Sequence, residues 1–201
     1  HMRRYTGWSY APAPTPSALV LSRPDYPDSL DRYLDVGRAI VPPFGAPGRV
    51  ATVSSLFRGD LYRQLWPYLG MWREARRLTA TAGSPYEATI RLERWLRSDG
   101  GFAYDERPPL PHGVPPLAGF LERTKLGYCQ QFAGTMSLML RYLGIPARVA
   151  VGFTSGTRKG GVWTVTDHDA HAWVEAWFAG YGWLAFDPTP GRGTLTAACT
   201  S

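Results

Sequence analysis

Cysteine is scarce in this chain, with two residues among 201. Cys129 and Cys199 cannot build a disulfide framework, which excludes the class of small disulfide-stapled folds. Cys199 lies in a short polar stretch next to the C-terminal end, where we expect a frayed segment and an incidental thiol. The cysteine count does not indicate a compartment.

Long apolar runs and basic clusters are missing as well. No apolar stretch approaches the roughly 18 residues that a membrane-spanning helix needs. The net charge is +6, but the arginines that produce it are spread along the chain rather than gathered in one run. This distribution disfavours nucleic-acid binding, and proximity to an anionic membrane surface explains the charge about as well.

Apolar and aromatic side chains are abundant. Hydrophobic residues make up 44% of the chain and aromatic residues 13%, which is enough for a real core and excludes a disordered body. A length of 201 residues suits one domain, or one domain with a helical extension. His1 and Met2 resemble a cloning remnant and are left out of the fold.

Proline and glycine punctuation divides the chain into four segments. Residues 1–24 contain the remnant and a proline-rich leader that we expect to be extended. Residues 25–65 form an N-terminal extension of helices and loops. Residues 66–190 form the main domain, and residues 191–201 form a flexible tail.

Helical signals dominate the part of the chain before residue 127. Expected helices run from an Asp28 cap to about Gly37 and from about Asp60 to Ala80, the second interrupted near Pro67 and Gly70. Ser84–Glu87 is a capping box with proline at the first helical position, so a third helix should begin there and stop at Asp99. Proline-rich loops fill residues 41–48 and 108–116.

After Gly127 the pattern changes to one helix followed by strands. Apolar residues recur at helical spacing from Phe132 to Leu143, and Gly144 with Pro146 ends that helix. Four strands are expected after it: Arg148–Phe153, Val162–Thr166, His171–Phe178 and Trp183–Phe186. This order predicts an α+β fold in which an antiparallel sheet packs on the helix that carries Cys129.

Three reactive groups fall at the ends of these predicted elements. Cys129 lies in the first turn of its helix, where unpaired backbone N–H groups favour a thiolate and could stabilise an oxyanion. His171 begins a strand, and Asp187 ends the next one. A carboxylate on a neighbouring antiparallel strand could reach the second ring nitrogen of His171. A thiol, a base and an orienting acid together are the requirements of a thiol nucleophile.

Other interpretations of the same residues stay open. A lone cysteine is commonly a small buried hydrophobe, a histidine beside aromatics can belong to the core, and an Asp before proline can form a turn. Asp167 and Asp169 are rival carboxylates for His171. His168 and His171 with Cys129 could bind a metal, but their spacing is atypical for zinc, so we expect no metal and no cofactor.

The chain resembles the transglutaminase-like superfamily. It is most similar to the bacterial branch that occurs as an extracytoplasmic domain of multi-pass membrane proteins. The resemblance covers about residues 66–190 and depends on four motifs in the same order: Gly127-Tyr-Cys-x-x-Phe-Ala, Leu140-Arg-x-Leu-Gly-Ile-Pro-Ala-Arg-Val, Asp167-x-Asp-Ala-His-Ala-Trp-Val-Glu and Gly180-Tyr-Gly-Trp-x-x-Phe-Asp-Pro-Thr.

The resemblance implies a papain-like, transglutaminase-core fold without a metal. It also implies that Cys129 is the nucleophile, His171 the base and Asp187 the orienting carboxylate. The family chemistry is attack on a glutamine side-chain amide or related amide, followed by transfer of the thioester to an amine or to water. The expected partners are a protein or peptide amide and an amine acceptor.

The resemblance also implies a setting. We expect a monomeric piece of a longer, membrane-anchored bacterial protein on the extracytoplasmic face of the membrane. Tyr128, Gln130 and Trp173 are candidate substrate contacts, whereas helical periodicity places Trp95 in the core. The alternative function is a non-catalytic domain that uses the same cleft to bind peptides or to organise a membrane assembly.

Overall fold

Helices form most of the first part of the structure and strands most of the last part. The computed structural model describes residues 12–37, 39–58, 62–109 and 111–191. Within these ranges the α-helices are α1 (Pro16–Val20), α2 (Arg49–Leu56), α3 (Tyr62–Leu65), α4 (Leu69–Leu78), α5 (Pro85–Arg94), α6 (Pro116–Gly119) and α7 (Cys129–Tyr142). Helices α5 and α6 each continue into a π-helical turn, at Trp95–Asp99 and Phe120–Thr124.

The strands of the described residues are β1 (Ala103–Tyr104), β2 (Leu126–Gly127), β3 (Ala147–Phe153), β4 (Thr157–Lys159), β5 (Val162–Thr164), β6 (Ala170–Phe178) and β7 (Gly182–Phe186). The main sheet has three antiparallel strands in the order β3–β6–β7. A separate hairpin joins β4 to β5, and a short parallel pair joins β1 to β2.

Helix α7 lies at the centre of the core. Its residues Phe132, Met136, Met139 and Leu140 are fully buried, as their helical spacing predicted. The helix ends at Tyr142, and Gly144 beyond it has a φ of +73° that lets Ile145 N–H bond back to Leu140 O at 3.0 Å. The expectation of a helix that carries Cys129 in its first turn and stops before Gly144 is therefore confirmed.

Strand β6 packs one face against α7. Its buried residues Ala172, Val174, Ala176 and Phe178 alternate with less buried ones, which is the period-two pattern read from the sequence. The strand therefore presents His171 and Trp173 to the opposite face. The predicted α+β class, with an antiparallel sheet on the cysteine helix, is confirmed.

The leader departs from the expected extended conformation. Residues Pro16–Val20 form helix α1, and Leu19 is fully buried in the main core. The cause is local, because Thr15 caps the helix by accepting from Ala18 N–H and Pro16 occupies the first helical turn. Residues 1–11 of the leader and residues 192–201 of the predicted tail lie outside the described residues.

Four further features differ from the expectations. The segment after Pro27 is a 3-10 helix that ends at Tyr33 rather than near Gly37, and Asp28 is its first residue rather than its cap. Helix α2 was not expected, since its N-cap, Gly48, offers no side-chain hydrogen bond. The break before α4 falls at the 3-10 turn around Pro67, while Gly70 lies within α4. The expected strand from Val162 to Thr166 is the shorter β5, outside the main sheet.

Among the described residues, no helix combines the length and the apolar character required to cross a membrane.

The close packing around Gly144 predicts that a larger residue there destabilises the fold. A Cβ at this position would overlap the carbonyl oxygen of Pro42, whereas a Cβ at Gly45 would meet open space at a similar positive φ. We expect Gly144→Ala to lower the free energy of unfolding by about 2–4 kcal/mol and Gly45→Ala by about 1 kcal/mol, measured by chemical denaturation. Equal losses for the two variants would contradict the proposed close packing.

Candidate active site

Cys129 is the first residue of α7 and is half-buried. The chain enters the helix from β2 through Tyr128, whose backbone N–H donates to Oε1 of Gln131 at 3.1 Å. The backbone N–H groups of Gln130 and Ala172 lie close to the sulfur and act to lower the pKa of the thiol. The thiol thus lies at the positive end of the helix dipole, held between α7 and β6.

His171 lies near the start of β6 with 5% of its side chain exposed. Its Nε2 is 2.8 Å from Oδ2 of Asp187. Because an ionised carboxylate can only accept, Nε2 carries the hydrogen of this bond. The Cys129 thiol lies close to the same imidazole and contributes to raising the pKa of His171. With Nε2 engaged by Asp187, Nδ1 is the nitrogen available to the sulfur.

Asp187 follows β7 directly and is buried. Its Oδ1 accepts from Thr189 N–H at 3.0 Å, so both carboxylate oxygens have partners. The structure therefore brings together the three groups singled out in the sequence. Their chemical roles remain predictions at this point.

Two charged residues that sequence reasoning missed also contact Asp187. Glu93 Oε1 accepts the backbone N–H of Asp187 at 2.7 Å. Arg97 Nη1 donates to the backbone carbonyl of Asp187 at 2.7 Å. One signal could have revealed Glu93: it lies four residues after Thr89 and three before Leu96, both of which are fully buried, so it had to face inwards.

The contacts of Cys129 and His171 determine the protonation states of the thiol and the imidazole. The hydrogen bonds to Asp187 and then to Cys129 raise the pKa of His171 from its ordinary value to about 9. Burial acts to raise the pKa of the Cys129 thiol, but the bonds from His171, Ala172 and Gln130 outweigh it, so the net pKa is lowered. Both directions favour a thiolate beside an imidazolium.

The rival carboxylates bond elsewhere. Asp169 Oδ2 accepts from the backbone N–H and the hydroxyl of Thr166 at 2.8 and 3.0 Å. Asp167 Oδ1 accepts the backbone N–H of His168 at 3.0 Å. In the described ranges, no group of three or more His, Cys, Asp or Glu side chains is arranged to hold a metal ion.

A cavity of about 620 Å³ lies against His171 and Asp187. Its walls combine aromatic rings with polar groups, and they include Phe153, Trp163, Trp173, Thr154, His168 and Asp169. Such a mixture is typical of small-molecule or side-chain binding sites. The cavity borders His171 and Asp187, and Cys129 is not among its lining residues.

The three candidate substrate contacts are divided by the structure. Trp173 lines the cavity beside His171. Tyr128 and Gln130 instead lie at the start of α7, where the Tyr128 hydroxyl donates to Oε1 of Gln130 at 3.1 Å. Neither is among the cavity-lining residues. Trp95 packs against the core edge-on to Phe102, with ring centroids 4.9 Å apart, as its periodicity predicted.

Comparison with known families decides the classification. The family model described as the transglutaminase-like superfamily matches residues 73–188, more than half of the chain. The chain belongs to the transglutaminase-like superfamily. This confirms the resemblance read from the four motifs.

Individual relatives agree with the family assignment. The chain is 44% identical over 90 residues to a protein-glutamine gamma-glutamyltransferase of Pseudomonas aeruginosa, covering 44% of this chain and 13% of that protein. It is 37% identical over 125 residues to the protein YebA of Bacillus subtilis, covering 58% of this chain and 17% of that protein. The chain therefore spans less than a fifth of these two relatives.

A solved structure shows the same fold. The crystal structure of the periplasmic domain of TgpA from Pseudomonas aeruginosa matches with a TM-score of 0.59 and 29% identity. The match covers 82% of this chain and 48% of the TgpA chain.

The lowered pKa of Cys129 can be tested by alkylation. In the parent chain, we expect iodoacetamide to modify Cys129 rapidly well below pH 8, because His171 stabilises the thiolate. His171→Ala should slow the reaction by about tenfold at pH 7 and return the profile to that of an ordinary thiol, with a pKa of about 8.5. Peptide mass spectrometry separates Cys129 from Cys199.

His112→Ala serves as the matched control, because this histidine lies in an exposed loop. It should leave the rate unchanged. Equal alkylation profiles in the parent and in His171→Ala would contradict a coupled thiol–imidazole pair.

Proposed function

We propose that the protein is a thiol-dependent acyl transferase or amidase that acts on glutamine side-chain or peptide amides. One observation carries the proposal: His171 is hydrogen-bonded to Asp187 at 2.8 Å and lies close enough to the Cys129 thiol for each to shift the pKa of the other. Thiol, imidazole and carboxylate in this order form the arrangement that activates a nucleophile. Membership of the transglutaminase-like superfamily supports it.

The first half of the reaction forms a thioester. The Cys129 thiolate attacks the amide carbon, and the carbonyl oxygen takes up the negative charge of a tetrahedral intermediate. The His171 imidazolium gives its proton to the amide nitrogen, so that the C–N bond breaks and ammonia or an amine leaves. Asp187 stabilises the imidazolium and keeps Nδ1 turned to the sulfur.

The second half regenerates the thiolate. An amine or water attacks the thioester carbon while neutral His171 accepts its proton, and the C–S bond breaks. An amine gives a new amide, which is transamidation, whereas water gives a carboxylic acid. We assign the stabilisation of both oxyanions to the N–H of Gln130, which lies in the first turn of α7 close to the sulfur.

The proposed setting follows from the relatives. TgpA contributes a periplasmic domain with this fold, which supports an extracytoplasmic position for this chain. We place the chain on the outer face of a bacterial membrane, as a monomeric part of a longer protein anchored by segments outside this sequence. Its partners are then a protein or peptide amide and an amine acceptor.

Turnover tests the proposal. Incubation with a glutamine-containing peptide and a fluorescent primary amine should release ammonia and, if an amine reaches the thioester, label the peptide. Cys129→Ala should abolish both signals, and Asp187→Asn should lower the rate by roughly 10²- to 10⁴-fold, because the imidazole loses its fixed tautomer.

Cys199→Ala is the matched control and should retain the full rate. Peptide binding without turnover in the parent chain would overturn the proposal in favour of a non-catalytic peptide-binding domain.

A further inference from the structure

The residue that orients the imidazole is itself held through its backbone by two charged side chains. Glu93 accepts the N–H of Asp187 and Arg97 donates to its carbonyl, each at 2.7 Å. Arg97 Nη1 also lies 4.0 Å from the carboxylate oxygen that contacts His171. The two side chains thus engage the peptide groups on both sides of the Asp187 Cα.

Both side chains are withdrawn from solvent. Glu93 is 4% exposed and the Arg97 side chain 18% exposed. Burial of a charge is costly unless it is paired or hydrogen-bonded. Arg94, in the same segment, shows the ordinary alternative: it pairs with Asp99 at the surface with 74% of its side chain exposed. Two charged side chains of one helical segment therefore both bond to the backbone of Asp187.

The helix that carries them changes geometry between the two positions. Glu93 lies in the last turn of α5, and Arg97 lies in the π-helical turn Trp95–Asp99. Such widened turns are rare and concentrate at functional sites. Here the turn supplies Arg97 to the carbonyl side of Asp187 while Glu93 remains on the amide side.

We propose that Glu93 and Arg97 are positioning residues, which fix the backbone of Asp187 so that its Oδ2 stays on His171 Nε2. The inference rests on the proposed function of Cys129, His171 and Asp187 and adds two residues to it. Thr189 N–H on Oδ1 completes the restraint of the carboxylate. Neither Glu93 nor Arg97 lines the cavity beside His171.

The direction in which the His171 pKa shifts when Arg97 is removed distinguishes a positioning role of Arg97 from a direct effect of its charge. The charged or titratable groups around His171 are Cys129 on α7, Asp187 after β7, Glu93 and Arg97 on the α5 segment, and His168 with Asp169 along the cavity. Removing the positive charge of Arg97 alone would raise the pKa of His171. Releasing Asp187 from its fixed orientation would lower that pKa, because the hydrogen bond to Nε2 weakens.

The experiment compares Arg97→Ala in the parent chain and in Asp187→Asn, with His171 titrated by NMR of the labelled imidazole. We expect the His171 pKa to fall by about half a unit or more in the parent background and by less than about 0.2 in Asp187→Asn. Arg94→Ala is the matched control and should leave the titration unchanged. A rise of the His171 pKa in the parent background, or an equal fall in both backgrounds, would overturn the positioning role.

Alkylation of Cys129 provides the second measurement. Arg97→Ala should slow it at pH 7 by about fivefold when Asp187 is present and not at all in Asp187→Asn. Glu93→Gln retains an oxygen acceptor for the Asp187 N–H, so it should stay within about threefold of the parent rate. A loss in Glu93→Gln as large as that in Arg97→Ala would argue that charge, not the hydrogen bond, is what Glu93 contributes.

Folding of each variant is checked by thermal unfolding. If Arg97→Ala does not fold, Arg97→Lys replaces it, and the fall in the His171 pKa should persist in smaller form, because lysine keeps the charge but lacks the guanidinium fork. No fall in Arg97→Lys would then overturn the inference.

The two proposals can fail separately. An unreactive Cys129 combined with an Asp187-dependent effect of Arg97 on the His171 titration would refute the proposed function and leave the positioning role standing. A reactive Cys129 with no such effect of Arg97 would refute the positioning role and leave the proposed function standing.

Discussion

The hydrogen bond between His171 Nε2 and Asp187 Oδ2 is the interaction on which the whole site depends, and it is a product of strand register. Strands β6 and β7 pair with Val174 opposite Phe186. Asp187 is the next residue, so it lies on the sheet face of Trp173 and diagonally from His171. A slip of one residue would turn the carboxylate to the α7 side of the sheet. The Phe178–Gly182 turn, which fixes this register, therefore belongs to the site as much as the polar side chains do.

The lowered pKa of Cys129 and the raised pKa of His171 both reflect the interaction between the thiol and the imidazole. Burial by itself would hold Cys129 protonated, and the imidazole, together with the backbone N–H groups of Gln130 and Ala172, reverses that preference. Asp187 supports the positive charge of the imidazole. Because His171 and Asp187 are buried, a missing partner would leave a charge uncompensated.

Much of this arrangement was predictable from local sequence. The alternation from His171 to Phe178 assigned the core face of β6, and the apolar spacing after Cys129 placed α7, because both elements pack in the regular way that periodicity reports. Motif order supplied the third group, Asp187. What the structure adds is which carboxylate meets the imidazole and through which nitrogen.

The features that escaped prediction depend on contacts between distant segments. From the sequence, Glu93 is a polar residue of an amphipathic helix. Its role depends on a contact with Asp187, which is 94 residues away in the chain. Leu19 lies in a proline-rich stretch, and its burial comes from packing against the main core, which local sequence does not reveal. Helix α2 begins at a glycine without a side-chain cap, so packing rather than local sequence stabilises it. Short β4 is entirely polar and exposed, and it gave no pattern to detect.

Trapping of the acyl-enzyme would show whether Cys129 is the nucleophile. The chain is incubated with a glutamine-containing peptide, quenched in acid and digested, and the mass of the fragment that contains Cys129 is measured by mass spectrometry. We expect an adduct on Cys129 with the mass of the peptide less one ammonia, which is removed by hydroxylamine and absent from Cys129→Ala. An unmodified Cys129, or an adduct carried by Cys199 instead, would contradict it.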